Sequence, residues 1–366
     1  MKKGLELQSI TKWMKTDKPV IISGPCSAET EEQTIATAKQ IAATGKVHAL
    51  RAGIWKPRTR PGQYEGAGDV GLQWLINAKK ETGLPVTTEV ANAAHVEACL
   101  KAGVDILWVG ARTTVNPFSV QEIADSLKGV DIPVMVKNPV NPDLELWIGA
   151  LERLNKAGIT KMAAIHRGFS SFEKGPFRNQ PMWDLAIELK TRVPELDIIC
   201  DPSHISGNRD LIAFVSQKAL DLDMAGLMIE SHINPDAAWS DAKQQVTPAV
   251  LGKIISELVV RKVTSENKTF KDTLSVLREQ IDQIDDEIMQ KFAQRMKVSE
   301  KIGQYKKENN VTILQVTRWE EIIKTRVALC KAMGLDEGFT RDLLRLVHHE
   351  SIQIQEKVMN NTEVKV

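Results

Sequence analysis

Four side chains spread over the first two thirds of the chain could together hold a divalent metal. Cys26, in GPCSAE, offers sulfur; His204, in DPSH, offers imidazole nitrogen; Glu230 and Asp241 offer carboxylate oxygens. A mixed soft and hard donor set of this kind suits Mn, Fe, Co or Zn. A lone cysteine is more often a small buried hydrophobe, but here three other ligand types stand near the ends of strand-like runs. A second group is cationic: Arg51, Lys56 and Arg58 (with Thr59 beside them) in RAGIWKPRTRPG, then Arg112 in GAR, Lys137 and Arg167. Scattered surface Lys and Arg are usually only solvated charges. Arg51 and Lys137 instead close apolar runs, where an uncompensated cation is costly. They need anions, and phosphates with a carboxylate would supply them.

The elements that must position these groups form a repeating pattern. Apolar runs occur at 19–24, 47–52, 85–90, 105–110, 133–138, 161–167, 197–201 and 226–231, which makes eight candidate strands. Nearly continuous apolar runs of this length suit strands buried on both faces of a parallel sheet. Segments such as EEQTIATAKQIAATG and NAAHVEACLKAG lie between most of them, with apolar residues at three-to-four spacing and a closing Gly. Eight strands alternating with helices predict a (β/α)8 barrel, in which chemistry collects at the C-terminal strand ends. The alternative is a doubly wound open sheet, and the absence of a helix-opening GxGxxG weakens its nucleotide-binding version. The run ends carry Cys26, Arg51, Glu89, Arg112, Lys137, His166 with Arg167, Asp201 with His204, and Glu230, with Asp241 in the loop beyond.

The pattern changes near residue 262. RKVTSENKTF is polar and aperiodic and reads as a linker, 263–270, between a domain over 1–262 and an all-α domain over 271–366. A helix is expected from Lys271 to about Lys307. Leu274, Leu277, Ile281, Ile284, Ile288 and Phe292 form one apolar stripe along it. At 1.5 Å per residue it would be about 55 Å long, too long for a small domain to cover, so a second chain is expected against it. Helices around 316–333 and 339–358 follow, without any strand signal.

Composition narrows the classes. The 366 residues are 42% hydrophobic and 26% charged, with 48 Lys plus Arg against 47 Asp plus Glu. That balance argues against nucleic acid or an anionic membrane as the main partner. No run approaches the roughly 18 apolar residues of a membrane span, and MKKGLELQSITKWMK lacks the apolar core of a secretory signal. Four scattered cysteines without a CxxC pair fit a reduced, cytoplasmic protein.

GPCSAE, KPRT, GAR, DPSH and the Glu230–Asp241 pair resemble 3-deoxy-D-arabino-heptulosonate 7-phosphate (DAHP) synthases of the subfamily related to 3-deoxy-octulosonate 8-phosphate synthases, over residues 15–260. The resemblance implies a metal on Cys26, His204, Glu230 and Asp241. It implies phosphoenolpyruvate on Arg51, Lys56, Arg112, Lys137 and Arg167, with Lys56 among the catalytic groups, and erythrose 4-phosphate on Arg58 and Thr59. KPRT favours the heptulosonate activity, since the octulosonate enzymes typically carry an Asn-Arg segment there; an octulosonate synthase stays as the alternative. The regulatory domain that some relatives carry before the barrel is not expected, because about 18 residues precede the first strand.

The helical stretch, over about 270–358, resembles the all-helical class of chorismate mutase. Arg278 in LREQIDQIDDEI, Arg295 in FAQR, Lys306 in IGQYKK, Arg318 in QVTRW, and Ser351 with Gln355 in HHESIQIQ carry the likeness. It implies that Arg278 (from a partner chain), Arg295 and Arg318 bind the carboxylates of chorismate, and that Lys306 and Gln355 face its ether oxygen. The family usually has Glu directly after the Arg at position 318; here Trp319 stands there, which leaves the substrate hydroxyl without its usual contact. The expected whole is a bifunctional, homodimeric shikimate-pathway enzyme whose helical part also senses chorismate or prephenate for feedback. A non-catalytic sensor and dimeriser is the other reading of that part.

Overall fold

Eight parallel strands close into a barrel in the order β1 to β8: β1 (Val20–Gly24), β2 (Ala49–Arg51), β3 (Val86–Val90), β4 (Ile106–Val109), β5 (Val134–Lys137), β6 (Met162–His166), β7 (Asp197–Cys200) and β8 (Gly226–Glu230). This computed structural model describes residues 4–56, 62–172 and 175–360. The chain divides into two units, Met1–Val263 and Thr264–Val366. The expected barrel followed by an all-α part is therefore what the chain forms.

Each strand is buried on both faces, which explains the unbroken apolar runs. Ile22, Ala49, Trp108, Met135, Ile165, Ile199 and Met228 fill the inside of the barrel. Their sequence neighbours Ile21, Leu50, Leu107, Val136, Ala164, Ile198 and Leu227 pack outward under the helices. Outer helices begin where side chains can satisfy first-turn N–H groups: Thr30, Asn92, Asn116, Asp143 and Thr247 all do so. Strand β2 is only three residues long, although the apolar run around it covers 47–52.

A short helix that periodicity did not announce, Ile10–Met14, covers the N-terminal end of the barrel. Its Ile10 joins the inner apolar cluster, with Trp13 and Met14 against it. Asp197, the first residue of β7, accepts from the Ile10 N–H at 2.7 Å and the Ser9 hydroxyl at 2.8 Å.

Among its described residues the helical unit holds three helices, Lys268–Glu308, Val316–Ala332 and Glu337–Asn360, and the last packs on both others. The long helix begins at Lys268, inside the stretch read as linker, because the Asn267 side chain accepts from the Phe270 N–H at 3.1 Å and caps it. Only Ser299 and Gly303 are buried along its length. Leu277, Ile281, Ile284 and Ile288, on the expected apolar stripe, are 41–56% exposed in the single chain. Among the described residues no helix is long and apolar enough to cross a membrane, and all four cysteines are free thiols.

Candidate active site

The pleat of the strands sends every second side chain inward. On six strands the inward series continues at the C-terminal end into a charged residue: Ala49 to Arg51, Thr87 to Glu89, Met135 to Lys137, Ile165 to Arg167, Ile199 to Asp201 and Met228 to Glu230. His166 has the opposite parity and lies outside among Trp147, Phe169 and Trp183. Complete burial pushes its pKa down to about 3, so the ring is a neutral packing group.

Trp108 forms the floor beneath these charges. The Arg51 guanidinium sits 5.0 Å and the Lys137 ammonium 5.6 Å from its ring centre, and its indole N–H donates to Glu89 Oε2 at 2.9 Å. Gly110 leaves the room that Glu89 occupies; a Cβ there would lie 2.2 Å from Glu89 Oε1. Arg51 NH1 lies 3.0 Å from Glu230 Oε1, an ion pair without hydrogen-bond alignment, and Lys137 donates to Asp201 Oδ2 at 3.0 Å. The two cations that were expected to require phosphate therefore have protein carboxylates as their first partners. Burial works against both carboxylates, but His204 and Lys137 hold Asp201 well below its usual pKa, and His204 and Arg51 hold Glu230 below its own.

Cys26 is fully buried, and its sulfur accepts from the Lys56 ammonium at 2.9 Å and lies 3.4 Å from Asp241 Oδ2. Burial and then the Glu230 charge raise its thiol pKa to about 11. His204 Nδ1 lies 2.8 Å from Asp201 Oδ2, and Nε2 is 3.9 Å from Glu230 Oε1. Asp241 pairs with Arg178 NH1 at 3.0 Å, and Gln244 bridges Arg178 to Glu230 at 2.7 Å on each side. The four expected ligands thus share one neighbourhood and form contacting pairs; among the described residues no group of three or more stands ready around a common point. Arg167 reaches Asn179 Oδ1 at 2.8 Å, and Asn138 Oδ1 accepts from the Arg167 N–H at 2.7 Å. Burial lowers the pKa of Arg167 to about 10, which still leaves it charged. Arg112 is exposed but close enough to Arg167 to repel it. Arg58 and Thr59 lie outside the described residues.

In the helical unit Arg295 donates to the Ser351 hydroxyl, and Ser351 donates on to the Val347 carbonyl at 2.7 Å. Lys306 donates to the Ile313 carbonyl. Burial lowers the pKa of both Arg295 and Lys306. Gln355 is buried, and its amide donates to the Ser351 carbonyl at 3.1 Å. Gly303 sits against it; a Cβ there would lie 3.0 Å from the Gln355 Cα. Arg318 points to Glu321 at the surface, and Arg278 is exposed, so a single chain does not bring these two to the cluster.

Residues 9–266 match the family model of the DAHP synthetase I family. The chain belongs to this family. Residues 277–356 match chorismate mutase type II. The phospho-2-dehydro-3-deoxyheptonate aldolase of Thermotoga maritima is 32% identical over 238 residues, 65% of this chain and 68% of that protein. A 2-dehydro-3-deoxyphosphooctonate aldolase of Polaromonas naphthalenivorans is 26% identical, over 71% of this chain and 96% of its own length. The crystal structure of the Thermotoga maritima DAHP synthase superposes with a TM-score of 0.59 at 31% identity, covering 65% of this chain and 67% of that one. A DAHP synthase domain and a chorismate mutase domain thus share one chain, a bifunctional enzyme of the shikimate pathway. Many members of the synthase family depend on a metal.

Glu89 and Asp201 stand at strand ends in the sequence with nothing there to assign them a role; the pairing of Asp201 with Lys137 and His204 appears only in three dimensions. Trp108 was hidden inside an apolar run. Arg178, Gln244 and Asn179 come from loops whose approach to the mouth had no sequence signal.

The buried Lys137–Asp201 pair yields a prediction. Lys137→Met keeps the apolar stem but leaves Asp201 charged against less compensation, which should cost the barrel about 3–5 kcal/mol. Urea unfolding should show an earlier barrel transition, together with loss of synthase turnover. An unshifted midpoint would mean that the pair contributes nothing.

Proposed function

We propose that the barrel condenses phosphoenolpyruvate with erythrose 4-phosphate and water to DAHP and inorganic phosphate, and that the helical unit converts chorismate to prephenate. Charge at the barrel mouth carries the first part. Among the described residues Arg51, Lys56, Arg112, Lys137, Arg167 and Arg178 stand near Glu89, Asp201, Glu230 and Asp241, six positive charges against four negative, an excess of two. Two phosphorylated substrates bring more negative charge than that excess neutralises, so a divalent cation completes the balance. The donor chemistry suits one: Cys26 lies beside Asp241 and His204 beside Glu230, and the Cys26 sulfur has the Lys56 ammonium as its cationic neighbour.

Cys26, His204, Glu230 and Asp241 would hold that ion, with loss of the Cys26 proton as it binds. When bound, it supplies Lewis-acid polarisation of the aldehyde oxygen. Lys56, Arg112, Lys137 and Arg167, with Arg51, hold phosphoenolpyruvate so that its C3 meets the aldehyde carbon and water can add at C2 before phosphate leaves. Arg58 and Thr59 would hold the aldose phosphate. Two anions that repel each other in water are thereby kept side by side, which is both a positioning and an electrostatic contribution.

Chorismate rearranges within itself, so its site needs no metal or nucleophile. It must bind two carboxylates and donate to the ether oxygen as that bond breaks. Arg295, Lys306, Ser351 and Gln355 supply such a site on two packed helices. Arg278 would come from a second copy, bound along the exposed stripe from Leu277 to Ile288, with Arg318 turned inward from Glu321.

The two activities should separate cleanly. Strong chelation or Cys26→Ala should abolish heptulosonate formation and leave chorismate consumption intact. Lys306→Ala or Gln355→Ala should lower mutase turnover by about 10²–10³-fold, as for loss of a donor to developing charge, with synthase unchanged. Synthase activity in rigorously metal-free protein would reject the ion, and wild-type mutase rates in both helical variants would reject those roles. Arabinose 5-phosphate should replace erythrose 4-phosphate poorly.

The helical unit is also proposed to report pathway product to the barrel. Coupling of this kind is typically about 1–3 kcal/mol. Prephenate should inhibit the synthase of the intact chain, and Arg295→Ala should relieve that inhibition. Equal response in both proteins, or sedimentation of the intact chain as a monomer, would count against this arrangement.

A further inference from the structure

Two buried side-chain polar atoms in the described part of the helical unit have no hydrogen-bond partner: His348 Nε2 and Gln355 Oε1. Buried polar atoms are normally paired, so an unpaired one marks a place where a ligand or water belongs. His348, Ser351 and Gln355 occupy positions i, i+3 and i+7 of the helix Glu337–Asn360 and so share one face. Trp319, on Val316–Ala332, stacks on His348 with ring centres 4.1 Å apart and planes 13° from parallel. That stack fixes the imidazole plane and leaves its edge as the free group.

We propose that His348, held flat by Trp319, receives the hydroxyl group of the ring substrate of the helical unit. The inference rests on the mutase reading given above and names the residue that recognises a substrate group to which that reading assigns no partner. The chemistry separates hydroxyl from carboxylate. The carboxylates have Arg295 and Lys306, both close enough to His348 to repel a proton from it. Burial acts first, and those two cations add to it, to hold the His348 pKa below its usual value. A neutral imidazole carries one N–H and one lone pair. Whichever of them is at Nε2, it can pair with a hydroxyl, which both donates and accepts. Trp319 contributes its ring to the stack that holds the imidazole. It acts as the positioning residue.

The test compares two substrates in the intact enzyme. His348→Phe keeps an aromatic ring for the stack and removes both nitrogens. Toward chorismate its kcat/KM should fall about tenfold, the size of one ordinary hydrogen bond, while a chorismate analogue lacking the ring hydroxyl should be turned over equally by both proteins. Trp319→Phe should keep the discrimination between the two substrates, and Trp319→Ala should lose part of it. An equal fall toward both substrates, or no fall toward either, overturns the proposal. Calorimetric titration with prephenate, which also carries a hydroxyl, gives a second readout. Tighter binding to wild type than to His348→Phe supports the contact even where turnover is absent, an outcome that would sink the mutase reading alone. Equal binding, or no binding to either, overturns it. His348→Asn, smaller but still able to donate and accept, should recover part of the loss if His348→Phe unfolds.

Discussion

A closed parallel barrel has no room inside for an unpaired charge, and the chemistry of this chain depends on how that constraint is met. On six of the eight strands the inward face gives way at the C-terminal end to a charged residue. Arg51 meets Glu230 and Lys137 meets Asp201, each at 3.0 Å and almost wholly out of solvent. Ion pairs this deep add little net stability, because desolvation consumes most of their attraction. What they do is hold cations and carboxylates in fixed places in a medium of low polarity, where each is felt strongly by whatever enters. Asp201 shows the consequence: one carboxylate touches Lys137, holds the imidazole of His204, and accepts from the backbone N–H of His204 at 3.0 Å.

The surrounding shell carries the same logic outward. Gln244 joins Glu230 to Arg178, Arg178 joins Asp241, and Gln245 accepts from the Cys26 N–H at 2.9 Å. Loops after β1, β6 and β8 are thereby tied to one another around the mouth. Further ties run from the Trp239 N–H to Glu29 at 2.8 Å and between the Ser27 and Ser240 hydroxyls.

The helical unit solves an easier electrostatic problem. Its cations are only partly buried and rest on helix faces and carbonyl groups. An intramolecular rearrangement asks only for shape and a few directed donors, and three helices can present those. Its long first helix leaves an apolar stripe in water, a state that a second copy along it would relieve.

The barrel was legible in the sequence because strands buried on both faces have nearly continuous apolar composition, and because each outer helix shows its own periodicity. The candidate site was legible at Cys26, Arg51, Lys137, His204 and Glu230 because reactive residues ending apolar runs are rare and conspicuous. The helix start at Lys268 was missed because an Asn cap is a single polar residue in a polar stretch, and Ile10–Met14 because five residues carry no period. Tertiary structure alone decided the pairings. Strand parity and barrel closure bring Asp201 to Lys137 and Glu230 to Arg51, loop packing brings Arg178 to Asp241, and helix packing brings Trp319 to His348, across 29 residues for the last pair and more for the others. A sequence specifies which charges and rings must be placed through local pattern, but which ones meet depends on the closure of the whole sheet and the packing of whole helices, and those are not local properties of the chain.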